Sequence, residues 1–220
     1  GMRQLQSGRK GAAKGQAKAA VVFLHGYGAD GADLLGLADA LAPHLPGVAF
    51  FAPDAPERCP AAPFGRQWFP IPWLDGSTEE EQAAGLQAAS ADLNAFLDGI
   101  LADEGLATGA LALVGFSQGA MMAMHVAPRR AQAVAGVVAI SGRLLAHERL
   151  GAEAAVKPPV LLVHGYRDDV VPFANMDFAG QALVAAGFET YGHVMQGTGH
   201  GIAPDGLGVA LQFLKERLPE

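Results

Sequence analysis

Hydrophobic residues in this chain gather in six short runs bounded by glycine or proline: AAVVFLHG (19–26), VAFFAPD (48–54), ALALVG (110–115), VAGVVAIS (134–141), PVLLVHG (159–165) and ETYGHVMQG (189–197). Most are apolar without interruption rather than alternating, the pattern of strands covered on both faces. Between them, apolar residues recur at helical spacing: Leu34, Leu37, Ala38 and Leu41; Leu86, Leu93, Leu97 and Ile100; Met121, Met124 and His125; Phe178, Leu183 and Val184; Leu207, Leu211, Phe213 and Leu214. Strand alternating with helix predicts an α/β fold with a mostly parallel, doubly wound sheet. No repeat or linker interrupts it, so residues 19–220 are expected to form a single domain. Residues 1–18 read as a tail or a short edge strand, and Gly1 ahead of Met2 reads as a cloning remnant.

One segment breaks the alternation. Residues 55–76, APERCPAAPFGRQWFPIPWLDG, are rich in proline and hold both tryptophans. A loop of this length in a compact domain is usually functional or mobile. Its aromatics Trp68, Phe69 and Trp73, with Phe64, are candidates for the wall of an apolar substrate pocket; the plainer alternative is a satellite cluster packed under the loop.

Composition narrows the function classes. The 220 residues are 50% hydrophobic, enough for a substantial core, and the formal net charge is -7 with no concentrated run of Lys or Arg. A nucleic-acid partner is therefore not expected. The single cysteine, Cys59, excludes an intrachain disulfide framework. KAAVVFL resembles a signal-peptide core, but it is too short and runs directly into His25-Gly26, which favours a buried strand. No apolar run reaches the roughly 18 residues of a membrane-spanning helix. The expected location is the cytoplasm.

The chemistry centres on Gly115-Phe116-Ser117-Gln118-Gly119. G-x-S-x-G alone is a weak pattern in a chain with 29 glycines, yet here it follows a strand-like run and opens a helix-like one. That setting holds a nucleophilic serine on a strained turn, with glycines where a Cβ would strike neighbouring backbone. A serine hydroxyl needs an imidazole base and a carboxylate to orient it, expected in the order Ser, Asp or Glu, His. Asp168 and Asp169 follow the fifth strand-like run on the carboxyl edge where Ser117 must lie, and spacing alone does not choose between them. Of seven histidines, His44 and His147 read as surface residues, His125 lies within a helix and His193 within a strand. His25 and His164 precede glycine at strand ends, where hydrogen bonding to nearby backbone is expected. His200, in a glycine-rich turn before the last helix, is the best base. An oxyanion hole would take its N–H groups from Gln118 and from the early turn FLHGYGADG, with Tyr27 the natural donor.

The same early turn supplies the runner-up. Gly26, Gly28 and Gly31 match G-x-G-x-x-G, and Asp54 follows about 20 residues later, as in dinucleotide-binding oxidoreductases. That alternative leaves Ser117, the aspartates and His200 without a role, and Asp54 sits between prolines rather than at a clean strand end. A hydrolase-like protein that only binds its ligand is a third possibility. No metal motif occurs: H-E-x-x-H and C-x-x-C are both absent.

Taken in order, FLHGYGADG, APDAP, QWF, GFSQGAMMA, Ser141-Gly142, HGYRDDVVP and GTGHGI resemble the phospholipase/carboxylesterase family of α/β-hydrolases, which includes bacterial carboxylesterases and acyl-protein thioesterases. The resemblance covers nearly the whole chain. It implies an α/β-hydrolase fold, Ser117 as nucleophile, Asp168 as the triad acid, His200 as base, and Tyr27 and Gln118 as oxyanion donors. It also implies a small ester or thioester substrate, lipid-like in some members, and no cofactor. Many members carry leucine where Tyr27 stands and aspartate where Pro70 stands, so the pocket rim is expected to differ. Without a large cap insertion, the cleft is expected to be open enough for an extended acyl group.

Overall fold

Ala19 to Leu24 are all fully buried, yet they point alternately to two different cores. Ala20, Val22 and Leu24 join one apolar cluster, while Ala19, Val21 and Phe23 join the other, so this strand lies between two helical layers. Phe23 stacks on Phe50 of the neighbouring strand, ring centroids 5.9 Å apart. The structure is a computed structural model describing residues 2–220; Gly1, read above as a cloning remnant, lies outside the described residues.

The strands are β1 (Ser7–Gly11), β2 (Ala19–Leu24), β3 (Val48–Pro53), β4 (Glu57–Arg58), β5 (Arg66–Gln67), β6 (Leu111–Phe116), β7 (Gly136–Ile140), β8 (Val160–Gly165) and β9 (Thr190–Met195). The helices are α1 (Gly31–Leu35), α2 (Leu37–Leu41), α3 (Pro72–Asp75), α4 (Glu79–Glu104), α5 (Gln118–Val126), α6 (His147–Glu153), α7 (Ala174–Ala185) and α8 (Pro204–Arg217). Seven strands form one sheet in the order β1-β3-β2-β6-β7-β8-β9. All neighbours run parallel except β1, which pairs antiparallel with β3 at the edge, Ser7 opposite Pro53. Apolar residues of α4, α5 and α7 cover one face, and those of α1, α2 and α8 the other. The six apolar runs are the six parallel strands, and the doubly wound α/β arrangement is as the pattern predicts.

Helix ends follow local chemistry. Thr78 and Glu81 form a reciprocal capping box at the start of α4, and Gly105, φ 67, ends it in the left-handed conformation. Asp54 accepts the N–H of Gly31 at 2.8 Å, and a Cβ at Gly31 would strike the Ala52 carbonyl. The dinucleotide-like glycines and Asp54 therefore fasten α1 against β3, which accounts for them without a nucleotide. No helix among the described residues is long and apolar enough to cross a membrane.

The 55–76 segment is ordered by its own contacts. β4 and β5 pair as a short antiparallel ribbon, Arg66 donates to the carbonyls of Ala55 and Pro56, and α3 makes one helical turn. The expectation that Trp68 and Phe69 wall a substrate pocket is corrected here. Both side chains are fully buried within the main core, on the side of β2 that faces α4 and α5. Large apolar rings gain most by leaving water altogether, and these two do. Phe64, by contrast, is 96% exposed at the ribbon tip, and Trp73 is half exposed.

Candidate active site

Ser117 follows the last residue of β6 with φ 57 and ψ -118, a conformation that strains any side chain bearing a Cβ, by roughly 1–3 kcal/mol. Its neighbours over-determine that turn. The Ser117 N–H donates to the Ile140 carbonyl at 2.9 Å, and its own carbonyl accepts from Ala120 and Met121 as α5 begins. A Cβ at Gly119 would collide with the Leu24 carbonyl and one at Gly115 with the Gly119 carbonyl, so the turn packs against β2 only with glycine on both sides.

Asp168 and His200 reach Ser117 because two loops are fastened together. Tyr166 N–H bonds the Met195 carbonyl and Arg167 N–H the Thr198 carbonyl, 3.0 Å each, tying the end of β8 to the turn after β9. The closest approach is at Gly165, where a Cβ would meet the Gly199 carbonyl. Asp168 Oδ2 then accepts from His200 Nδ1 at 2.7 Å, and His200 Nε2 lies 3.0 Å from Ser117 Oγ. A carboxylate only accepts, so Nδ1 carries the proton and Nε2 is free to accept from the serine hydroxyl. Asp168 Oδ1 is fixed by the N–H groups of Val170 and Val171, at 2.9 and 2.8 Å. Asp169 is exposed, and of the two neighbouring aspartates it is Asp168 that His200 meets. Phe116 packs against the His200 ring at 4.8 Å between centroids.

The early turn lies beside this group. A Cβ at Gly26 would sit 3.1 Å from Ser117 Cβ, which places the Gly26-Tyr27 peptide next to the serine. Among the described residues no acceptor takes the N–H of Tyr27 or of Gln118, the first residue of α5. His25 braces the turn: Nδ1 donates to the Gly26 carbonyl at 2.7 Å and Nε2 accepts the Ala55 N–H at 2.9 Å. Burial pushes its pKa down, which keeps the neutral form this pairing requires.

Sequence reasoning missed what the side chain of Gln118 does. Fully buried, it clamps the 55–76 segment, Oε1 accepting the Trp68 N–H and Nε2 donating to the Phe69 carbonyl, 2.8 Å each. Trp68 Nε1 in turn donates to the His25 carbonyl at 2.9 Å. Trp68 and Phe69 thus support the early turn from beneath. Also unpredicted is the contact of His164 with the acid: its Nε2 donates to the Val171 carbonyl at 2.8 Å and lies 3.5 Å from Asp168 Oδ2.

A chain with this order of strands, a strained serine after the third parallel strand, and a Ser-His-Asp relay at the carboxyl edge has the architecture of an α/β-hydrolase. A sequence model of the phospholipase/carboxylesterase family matches residues 11–218. The chain belongs to the phospholipase/carboxylesterase family. Esterase YpfH of Escherichia coli (strain K12) is 29% identical over 161 residues, 72% of this chain and 66% of that protein. Acyl-protein thioesterase 1 of Neurospora crassa is 29% identical over 220 residues, covering 92% of this chain and 88% of that one. Among solved structures, esterase PE8 superposes with a TM-score of 0.92 at 43% identity, covering 98% of this chain and all of that one. As a member of the phospholipase/carboxylesterase family, the chain is an ester-cleaving hydrolase with the α/β-hydrolase fold.

A cleft of about 900 Å³ opens between α4, α5 and α6 and is lined by His125, Arg129 and Arg149, with none of the three relay residues. Burial, with Arg129 and Arg149 alongside, pushes the His125 pKa down from 6.5 to about 4 while Glu153 opposes. An imidazole so reluctant to accept a proton is a poor base at neutral pH. It does predict acid sensitivity. The neutral form favours the fold, so stability present above pH 6.5 is lost as pH falls toward about 4, by roughly 2–3 kcal/mol. Urea unfolding at about pH 7 and about pH 4.5 is expected to show that loss in the parent protein and most of it removed in His125→Gln.

Proposed function

We propose that this member of the family hydrolyses carboxylic esters, and thioesters by the same steps, through an acyl-enzyme on Ser117. His200 takes the hydroxyl proton as Ser117 Oγ bonds the carbonyl carbon, and the tetrahedral intermediate places its oxyanion between the N–H groups of Tyr27 and Gln118. The intermediate collapses by breaking the bond to the alcohol or thiol, which leaves with the proton from His200. Water then enters, gives its proton to His200 and releases the acid, and Ser117 regains its hydrogen. Asp168 holds the imidazole in the tautomer that accepts from Ser117. Each step uses groups the chain itself carries.

The observation that carries this reading is the continuous relay from Asp168 Oδ2 through His200 to Ser117 Oγ, at 2.7 and 3.0 Å, ending on a serine in a strained turn. The relatives named as thioesterases support extending it to thioesters, which present the same carbonyl to the serine. Its one cysteine, a buried thiol, asks for no oxidising compartment, and we place the reaction in the cytoplasm. The test is covalent. A fluorophosphonate is expected to label the folded protein once, at the Ser117 peptide by mass spectrometry, and labelling elsewhere or not at all in folded protein overturns the reading.

A further inference from the structure

With Trp68 and Phe69 absorbed into the core, Trp73 is the one aromatic of the QWFPIPW stretch left at the surface, and it has a specific companion. The guanidinium of Arg143 lies over its ring, Cζ 4.8 Å from the centroid. The two residues arrive from different sides of Ser117. Ser141, φ 54, turns the chain at the end of β7, and Gly142 packs onto the first turn of α5: a Cβ there would lie 2.5 Å from the Ala120 methyl and 3.4 Å from the Ser117 carbonyl. Arg143 is therefore the first side chain on the β7 rim beyond the nucleophile. Trp73 comes from the rim built on the early turn. Its neighbour Asp75 accepts from the Tyr27 hydroxyl at 3.4 Å and from the N–H groups of Ile71 and Ser77. Burial, with Cys59 and Asp75 alongside, pushes the Tyr27 phenol pKa up, so the phenol stays a donor in this tie.

Arg143 is exposed, and among the described residues no carboxylate pairs with it. Arg3, Arg9, Arg129, Arg130, Arg149 and Arg217 each meet one, and Arg58, Arg66 and Arg167 do not, but among the described residues only Arg143 both stacks on an aromatic ring and lacks a carboxylate partner. Stacking occupies only the flat face of a guanidinium, and its N–H donors, which lie in the plane, remain available. The ring also holds the long side chain in place, so little rotamer freedom is left to lose when an anion binds. A fork of charged donors, held on Trp73 one residue beyond the Gly142 that packs on the Ser117 turn, in a chain of net charge -7, selects against apolar substrate groups and for acidic ones.

We propose that Arg143, held on Trp73, is a specificity determinant that recognises a carboxylate carried by the ester, so that the substrate class is anionic esters rather than purely apolar acyl esters. This rests on Ser117 being the nucleophile. Two matched pairs of substrates test it and tell which side of the scissile bond bears the charge. Mono-p-nitrophenyl glutarate against p-nitrophenyl valerate places the carboxylate on the acyl group; 4-carboxyphenyl butyrate against phenyl butyrate places it on the leaving group. Arg143→Gln is expected to lower kcat/KM for the anionic member of one pair by about tenfold, through KM, and to leave both neutral esters within about twofold. Trp73→Ala should reproduce part of that selective loss, and Arg143→Lys should recover little of it, since an ammonium neither stacks as a plane nor offers a fork. Equal losses on anionic and neutral members, or no loss on any, overturn the proposal. Fluorophosphonate labelling of Ser117 is run on the same samples. Label present with selectivity unchanged rejects the role of Arg143 alone, whereas label absent from folded parent protein rejects the nucleophile on which it rests.

Discussion

Ser117→Ala is expected to lower kcat on p-nitrophenyl butyrate by about 10⁴- to 10⁶-fold while the protein unfolds at nearly the parent temperature. The two halves of that expectation have separate causes. Fold stability is spared because alanine keeps the Cβ that Gly26 abuts, and because the positive φ is imposed by the Ile140 carbonyl and by the close packing of Gly119 on Leu24, neither of which involves the hydroxyl. Only the 3.0 Å bond to His200 Nε2 is lost, and that imidazole is partly open to water. Activity is not spared, because no other hydroxyl occupies the point where the relay ends. What remains is whatever the Tyr27 and Gln118 N–H groups contribute to attack by water, so the residual rate should exceed the uncatalysed rate. A variant that melts normally and turns over ester at near-parental rate would remove Ser117 from the mechanism.

Why the relay was legible beforehand, and its supports were not, follows from the range of the interactions. The parallel strands announce themselves because both faces are buried, which leaves uninterrupted apolar runs such as Ala19 to Leu24. The serine turn is legible because its glycines are demanded by backbone collisions within a few residues. Trp68 and Phe69 were misassigned because a loop aromatic carries no local sign of its direction; their partners, His25 and Gln118, lie some 40 to 50 residues away in sequence. β4 and β5, two residues each, are too short to show a period, and α6 is a mostly polar helix with only Leu150 buried. Neighbouring Asp168 and Asp169 present the limiting case. Their chemistry and spacing are alike, and only the N–H groups of Val170 and Val171, which seize one oxygen of Asp168, decide which carboxylate faces His200.

Those same two N–H groups make Asp168→Asn a far more damaging change than its size suggests, about 10⁴-fold in kcat/KM against less than about twofold for the exposed Asp169→Asn. An asparagine at 168 has one acceptor oxygen where aspartate has two. Val170 and Val171 both donate to the Oδ1 position, so the amide oxygen stays there and the NH₂ takes the place of Oδ2. His164 Nε2 lies 3.5 Å from the Oδ2 place and would favour an oxygen there, but it is a donor already committed to the Val171 carbonyl at 2.8 Å, and the two shorter bonds from Val170 and Val171 hold the amide oxygen at the Oδ1 place. The NH₂ then confronts His200 Nδ1 from 2.7 Å, a distance at which two donors repel, and the imidazole must shift its proton to Nε2. Nε2 so protonated cannot accept from Ser117, and the nucleophile loses its base although every heavy atom remains in place. Steady-state kinetics on both variants check the ranking, with thermal melts to show that each is folded, and a larger loss in Asp169→Asn would move the acid one position along the chain. Because the fault lies in a tautomer, Asp168→Asn should still bind substrate with near-parental KM, so the loss should fall on kcat.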